Sequence, residues 1–341
     1  MKRKYILKTI IGIISLLFSM QLTQAAPGYQ TIEIEVAHRD NPLQFHIWYP
    51  SKQDGDMKML GENAVFTGVE VSVGATSQSK KFPLVLLSHG SGGNAQNISW
   101  IAYSLVNRGM IVVSTNHPGS TSGNSIALET LKIWQRSADF TSILDYMQKA
   151  PTIDLQPDFN RIGAVGFSLG GYTVLGLAGA QVKKQKYIEY CEQFPNMLDC
   201  RWFNFAGVNL SQIDASKFEQ SNLDERIKAI VVIDPALSKA FTSKSLIEIK
   251  LPSLIINLGS KGEVPVGLDG KRIATIIKNS NYVNIKQATH FSFLGVCTAM
   301  GEDIIKQESE EPICSETGKR KRDDIHAEIK ILVGEFLKNN L

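Results

Sequence analysis

The chain has 341 residues, of which 43% are hydrophobic and 20% are charged, and its formal net charge at neutral pH is +3. This composition is typical of a globular protein, and it excludes a chain that is largely disordered or built from repeats. The near balance of acidic and basic side chains gives no global signature of nucleic-acid binding. We expect a single core, since α/β proteins of this length often fold as one unit.

The first 25 residues have the pattern of a secretory signal. Basic residues at positions 2, 3, 4 and 8 precede an uncharged apolar stretch at 10–18, and Thr23-Gln24-Ala25 places small residues where a signal peptidase reads them. We predict cleavage after Ala25, because the apolar stretch is shorter than the ~20 residues that span a bilayer. The mature chain, 26–341, would be nearly neutral and would lie in the periplasm or the medium.

The first predicted elements form a pair of strands. Polar and apolar residues alternate over 29–36 and again over 43–49, and the turn-forming cluster 39–42 lies between them. This pattern predicts an antiparallel hairpin at the edge of a sheet. Residues 51–81 are rich in Gly, Ser and Lys, and we expect a long surface loop there.

From residue 82 onward, apolar strands alternate with helical segments. This alternation is typical of a parallel sheet that is covered by helices on both faces, and it predicts a doubly wound α/β fold. The predicted strands are 83–88, 110–115, 161–167, 228–233, 253–258 and 281–286, and the predicted helices are 97–108, 128–150, 170–181, 271–279 and 323–339. The aromatic-rich region 182–226 interrupts the alternation, and we expect it to form a cap.

The cysteines suggest disulfide bonds. An exported chain with an even number of cysteines is expected to pair them. Proximity in the sequence favours Cys191 with Cys200 and Cys297 with Cys314, and the other pairings stay open. Zinc is disfavoured, because no Cys-x-x-Cys or His-x-x-x-His spacing accompanies these residues.

A sharp turn at 166–171 carries the strongest chemical signal. Gly166-Phe167-Ser168-Leu169-Gly170 follows an apolar strand and opens a helix-compatible run. A serine at the apex of such a turn is exposed by a strained backbone, and glycines two residues on either side avoid clashes with the neighbouring strand and helix. We therefore predict that Ser168 is a nucleophile.

A serine nucleophile on this turn requires an acid and then a histidine further along the chain. Only His290 and His326 follow Ser168. His326 falls on the last amphipathic helix, where a packing or solvent-facing role is expected. His290 follows the last predicted strand, in the loop where such enzymes present their base, so we predict that His290 is the base.

Two carboxylates are candidates for the acid. Asp234 stands directly at the carboxyl end of a strand and is followed by a proline, which is where ligands meet an open α/β sheet. Glu263 follows the next strand, in a loop that contains Gly and Lys. We favour Asp234, because it is nearer a rigid strand, and Glu263 stays the alternative.

A glycine-containing loop at 88–93 fits an oxyanion hole, in which backbone N–H groups stabilise a developing negative charge. We assign one donor to the N–H of Ser91 and the other to the N–H of Leu169, the residue after the nucleophile. His89 precedes Ser168 in the chain, so we interpret it as a scaffold histidine that holds this loop.

Four segments together resemble a known family, and they are Leu87-Ser88-His89-Gly90-Ser91, the elbow at 166–171, Ile233-Asp234-Pro235 and Thr289-His290-Phe291. They are similar to the secreted, calcium-independent platelet-activating-factor acetylhydrolases and their dienelactone-hydrolase-like bacterial relatives. The resemblance implies an α/β-hydrolase fold, an acid on the strand after that of the nucleophile, which favours Asp234, and an oxyanion donor at Ser91. True dienelactone hydrolases use a cysteine nucleophile, so Ser168 departs from them.

These observations predict an exported serine ester hydrolase that needs no metal or organic cofactor. We expect short-acyl or lipid-like esters, and hence a role in lipid degradation, because the cap is aromatic, although its rings could equally pack the cap's own core. The alternatives are a peptidase or thioesterase of the same fold, or a binding protein that has kept the fold. We expect no nucleic-acid partner. Contact with a membrane surface stays open, since no amphipathic helix is clear enough to name.

Overall fold

The computed structural model describes residues 25–149, 155–308 and 311–341. The predicted signal peptide, apart from Ala25, lies outside these residues. Across the described ranges, no helix is both long enough and apolar enough to cross a membrane.

The described residues contain every predicted strand and four further ones. They are β1 (Gly28–Ile34), β2 (Leu43–Tyr49), β3 (Asp56–Leu60), β4 (Val69–Val73), β5 (Phe82–Ser88), β6 (Ile111–Thr115), the two-residue strands β7 (Ser120–Thr121) and β8 (Asn124–Ser125), β9 (Pro157–Phe167), β10 (Ile227–Ile233), β11 (Ser253–Leu258) and β12 (Ser280–Ile285). All except β7 and β8, which pair with each other, join one sheet in the order β12-β11-β10-β9-β5-β6-β2-β1-β4-β3.

The sheet is mostly parallel. From β12 to β6 every neighbouring pair is parallel, whereas β2 pairs antiparallel with both β6 and β1. The carboxyl ends of the parallel strands therefore meet along one edge, which is where an open α/β sheet binds its ligands.

Helices cover both faces of this sheet. They are α1 (Ser99–Val106), α2 (Ala127–Thr130), α3 (Trp134–Lys149), α4 (Leu169–Leu177), α5 (Lys184–Gln193), α6 (Leu198–Phe205), α7 (Ala215–Phe218), α8 (Ser243–Glu248), α9 (Lys271–Ile276), α10 (Gly301–Gln307) and α11 (Arg322–Asn340). The chain thus has the α/β fold that the alternating strands and helices predict.

Two buried clusters form the core, one on each face of the sheet. Successive residues of a strand point to opposite faces, so Leu86 of β5 packs with α3 and α4, while its neighbour Leu87 packs with α1 and α11. This double burial explains why the central strands are continuously apolar in the sequence.

The structure corrects the prediction for the first 81 residues. The hairpin β1–β2 is not at the sheet edge, because β4 pairs with β1 and β3 lies outside it. The expected loop at 51–81 contains both of these strands. Four of the five side chains of β3 are exposed, so this edge strand lacks the apolar pattern of a core strand.

Region 182–226 forms helices α5, α6 and α7, and the predicted disulfide between Cys191 and Cys200 joins the first two of them. Many of its aromatic rings are buried against one another, namely Tyr187, Tyr190, Phe203 and Phe218. These rings pack with one another and join the core cluster on the α3 and α4 face of the sheet. Phe205, at the end of α6, is 94% exposed.

The second predicted disulfide, Cys297–Cys314, is also present. It lies in the segment between His290 and α11. The guanidinium of Arg322 donates to the Sγ of Cys297 at 3.5 Å and to the carbonyl of Ile313 at 2.7 Å. The disulfide and Arg322 together fasten this segment to the start of α11.

Candidate active site

Ser168 stands at the apex of the turn between β9 and α4. Its φ angle is 57°, a left-handed conformation that a side chain with a Cβ rarely adopts. A β-carbon added at Gly166 would overlap the carbonyl of Gly170, and one added at Gly170 would overlap the carbonyl of Ser88. The two glycines are therefore required by close backbone approach, and this packing holds the serine in its strained conformation.

The structure brings Ser168, His290 and Asp234 together from three separate loops. Nε2 of His290 lies 3.2 Å from Oγ of Ser168, and Nδ1 lies 2.9 Å from Oδ2 of Asp234. The side chain of His290 is 14% exposed and that of Asp234 is fully buried. With its Nδ1 proton held by the carboxylate, the imidazole presents an unprotonated Nε2 to the serine hydroxyl.

Two hydrogen-bond donors orient Asp234 through Oδ1, the carboxylate oxygen that does not contact His290. Its Oδ1 accepts hydrogen bonds from the side-chain amide of Asn257 at 2.8 Å and from the N–H of Leu258 at 2.9 Å. The amide oxygen of Asn257 in turn accepts from the N–H of Gly270 at 2.9 Å and from the hydroxyl of Tyr282 at 3.1 Å. The carboxylate is thus fixed in the plane that points Oδ2 toward the imidazole.

His290 begins a short 3-10 turn, His290–Phe293, which is stabilised by its own capping residues and by hydrogen bonds from two other helices. The side chains of Thr289 and Ser292 cap this turn reciprocally. Nε2 of His326 donates to the carbonyl of Ser292 at 2.9 Å, and the indole N–H of Trp100 donates to the carbonyl of Phe293 at 2.9 Å. His326 is buried on α11, as the packing interpretation of this histidine expects.

Glu263, the alternative acid, is turned toward its own loop. Its Oε2 accepts the N–H of Ser260 at 2.8 Å. His290 therefore bonds to Asp234, at the end of β10, and Glu263 closes the turn after β11.

The two assigned oxyanion donors lie on either side of Ser168. Leu169 is the first residue of α4, and first-turn N–H groups have no partner within their own helix. On the other side, a β-carbon built on Gly90 would stand 3.0 Å from Cβ of Ser168, so the loop carrying Ser91 passes directly beside the serine. Ser91 itself is exposed.

His89 anchors this loop from below, and burial, together with the charge of Arg136, holds its pKa well below the usual value. The neutral ring donates from Nδ1 to the carbonyl of Gly90 at 2.7 Å and accepts the N–H of His117 on Nε2 at 3.2 Å. The structure thus agrees with the scaffold interpretation of His89.

Beneath the loop, Asp139 is the centre of a buried polar network that sequence reasoning missed. Its two oxygens accept from Arg39 at 2.9 and 2.7 Å, from His38 at 2.7 Å and from His117 at 2.8 Å. Although burial opposes ionisation, these hydrogen bonds hold the pKa of Asp139 well below its usual range. The network therefore contains a permanent, fully enclosed carboxylate.

His117 extends this network to the end of β5. Burial and the charge of Arg136 lower its pKa to about 3, so the ring is neutral, donates from Nδ1 to Asp139, and accepts from the hydroxyl of Ser88 on Nε2 at 3.0 Å. Ser88, His117 and Asp139 thus form a second serine–histidine–aspartate chain, and all three side chains are buried.

In the part of the chain that the structure describes, no group of three or more His, Cys, Asp or Glu side chains is arranged to hold a metal ion.

The architecture and the turn at Ser168 are those of the α/β-hydrolases. Residues 96–189, which include this turn, match the model of the prolyl oligopeptidase family of S9 peptidases, and no curated protein matches the sequence. The chain is similar to ferulic acid esterase from Streptomyces cinnamoneus, with 17% identity, a TM-score of 0.64, and coverage of 94% of this chain and 91% of that one. It is also similar to dienelactone hydrolase from Anabaena variabilis, with 15% identity, a TM-score of 0.51, and coverage of 93% and 100%.

Proposed function

We propose that this protein is an exported serine ester hydrolase in which Ser168, His290 and Asp234 are the catalytic triad. The observation that carries the proposal is the continuous hydrogen-bonded chain from Oγ of Ser168 through His290 to the buried carboxylate, built on a strained turn. Strain of this kind persists only where surrounding structure enforces it, and it is concentrated at functional sites.

In the proposed reaction, Oγ of Ser168 forms a bond to the ester carbonyl carbon while Nε2 of His290 takes the hydroxyl proton. Asp234 holds the imidazole in the required tautomer and stabilises its positive charge. The N–H groups of Ser91 and Leu169 stabilise the oxyanion of the tetrahedral intermediate. The imidazolium then protonates the leaving alkoxide, and water, activated by the same histidine, releases the acyl group from the enzyme.

We propose short-acyl or lipid-like esters as the substrate class and region 182–226 as a cap over the site. Tyr190 lies against Gly267 in the loop after β11, and Arg201 of α6 pairs at 3.5 Å with Glu311, which belongs to the segment between His290 and α11. The buried rings of the cap pack with one another, whereas Phe205 is exposed.

Within the α/β-hydrolases, we place the chain with the platelet-activating-factor acetylhydrolase-like enzymes. The acid on the strand directly after that of the nucleophile supports this placement. Export is supported by the two disulfides, since such bonds persist in oxidising compartments.

A peptidase is the second candidate function, and the match of residues 96–189 to the prolyl oligopeptidase family favours it. The matched segment includes Ser168 but neither Asp234 nor His290. The match therefore favours a peptidase through the segment around the nucleophile alone.

The deciding experiment measures hydrolysis of nitrophenyl esters from acetate to palmitate beside aminoacyl and dipeptidyl nitroanilides. We expect ester turnover by the wild type, with losses of about 10⁴-fold or more in Ser168→Ala and His290→Ala. Asp234→Asn should lose activity, and Glu263→Gln should keep it. Faster cleavage of the nitroanilides would favour the peptidase. Absence of both turnover and fluorophosphonate labelling of Ser168 would overturn the hydrolase proposal.

A further inference from the structure

Arg136 lies on α3 with its guanidinium enclosed by protein, and it belongs to neither the triad nor a surface ion pair. Burial lowers its pKa to about 9, so the group stays charged at neutral pH. A buried cation is costly unless its N–H groups are all engaged. Its partners therefore indicate what the arginine is kept for.

On one side, the guanidinium fastens the oxyanion loop both before and after Ser91. Nη2 donates a short hydrogen bond to the carbonyl of His89. Nη1 donates to the hydroxyl of Ser120 at 2.6 Å, and the carbonyl of Ser120 accepts the N–H of Gly92 at 3.0 Å. The peptide that presents the Ser91 N–H is thus held between two anchors that meet at one arginine.

On the other side, the same group reaches the first turn of α4. Nε of Arg136 donates to the hydroxyl of Thr173 at 3.0 Å, and that hydroxyl donates to the carbonyl of Leu169 at 3.1 Å. The second proposed oxyanion donor, the N–H of Leu169, is on the same residue. One rigid guanidinium therefore bridges the two backbone segments that carry the two donors.

We propose that Arg136 is the positioning residue of the oxyanion hole, setting the separation between the N–H groups of Ser91 and Leu169. This inference rests on the proposed serine hydrolase function. Oxyanion stabilisation depends on donors that are already in place before charge develops. Arginine suits this task because its planar fork points donors in several fixed directions, whereas lysine presents a single ammonium that cannot reach both segments.

The test compares Arg136→Lys and Thr173→Val with the wild type. Thr173→Val removes the link to Leu169 with little change of shape and keeps the arginine. This variant therefore tests the inference even if Arg136→Lys folds poorly. Arg226→Lys is the matched control, because Arg226 is a partly buried arginine that pairs with Asp224 at 2.6 Å and Asp145 at 2.7 Å. Each variant is measured for kcat and KM on nitrophenyl acetate, for Tm, and for the Ki of an alkyl trifluoromethyl ketone.

That ketone reports on the hole directly. Oγ of Ser168 adds to its carbonyl carbon, the hydroxyl proton passes to His290, and the resulting oxyanion occupies the place of the tetrahedral intermediate. We expect both variants at the Arg136 bridge to lower kcat by about 10- to 100-fold, since small displacements of catalytic groups have effects of this size. KM should change less than about threefold, and the Ki should rise in parallel with the loss of kcat/KM.

The control should lower Tm and leave kcat and the Ki of the ketone unchanged. If Arg136→Lys and Thr173→Val lower only Tm and keep kcat and Ki within about twofold of the wild type, the arginine merely stabilises the fold and the inference is wrong. A wild type that neither hydrolyses esters nor reacts at Ser168 would instead overturn the proposed function, and the inference with it.

Discussion

Buried neutral histidines make the protein sensitive to mild acid. His46 on β2 and His326 on α11 are each 1% exposed. Burial lowers the pKa of His46 to about 4, and burial together with the charges of Arg322 and Lys330 lowers that of His326 to about 3. In the unfolded chain both rings return to about 6.5.

The sign and size of the effect follow from proton linkage. Between pH 6.5 and about 4 the unfolded state binds more protons than the folded one, so stability falls as the pH falls through this window. From pH 7 to pH 5 each ring contributes a loss of about 2 kcal/mol, and the two together about 4 kcal/mol. A loss of this size is a large share of the stability of an ordinary domain.

Urea unfolding at pH 7, 6 and 5 checks this prediction in the wild type, His46→Gln, His326→Gln and the double variant. Each single substitution should remove about 2 kcal/mol of the pH dependence, and the two should add, because the rings share no hydrogen-bond partner. His46 bonds to the hydroxyl of Tyr29, and His326 to the carbonyl of Ser292. The reasoning is refuted if both single variants keep the full pH dependence of the wild type.

Three further predictions concern the site and its supports. Asn257→Leu removes the amide that orients Asp234, so kcat for ester hydrolysis should fall about 10- to 100-fold. Asn257→Asp, which also lacks the amide N–H donor, should lower kcat as well. An unchanged kcat would contradict the role of Asn257. Gly170→Ala drives a methyl group into the carbonyl of Ser88 and should cost at least about 3 kcal/mol of unfolding free energy, measured in urea. Replacing both Cys297 and Cys314 by serine should lower the unfolding free energy by about 3 kcal/mol in the same assay. A loss no larger than that caused by a serine substitution at an exposed residue would contradict this prediction.

Much of the site could be predicted from the sequence because its chemistry constrains the order of residues along the chain. The glycines around Ser168 identify the turn, and the rule that acid and base follow the serine leaves few candidates. The structure brings His290 and Asp234 to this serine, as that rule requires. Their catalytic roles remain a prediction for the activity assays.

The supporting residues could not be predicted in this way. Asn257 interrupts the apolar run 254–258, which is a signal that could have been followed. Arg136 and Asp139 lie on an ordinary-looking helix, and only the three-dimensional structure shows that both are buried. The exposed edge strand β3 is difficult to predict for a related reason, since it carries little apolar periodicity. Strand β4 alternates valine with polar residues, and this signal could have been followed.

The buried chain of Ser88, His117 and Asp139 has a practical consequence for anyone who scans coordinates for hydrolase sites. A geometric template of a serine, an imidazole and a carboxylate would retrieve two hits from this one chain. The hits differ in access, since His290 is partly open to solvent while every member of the inner chain is enclosed. Atom spacing alone therefore does not separate the two groups of residues, whereas solvent access at the imidazole does.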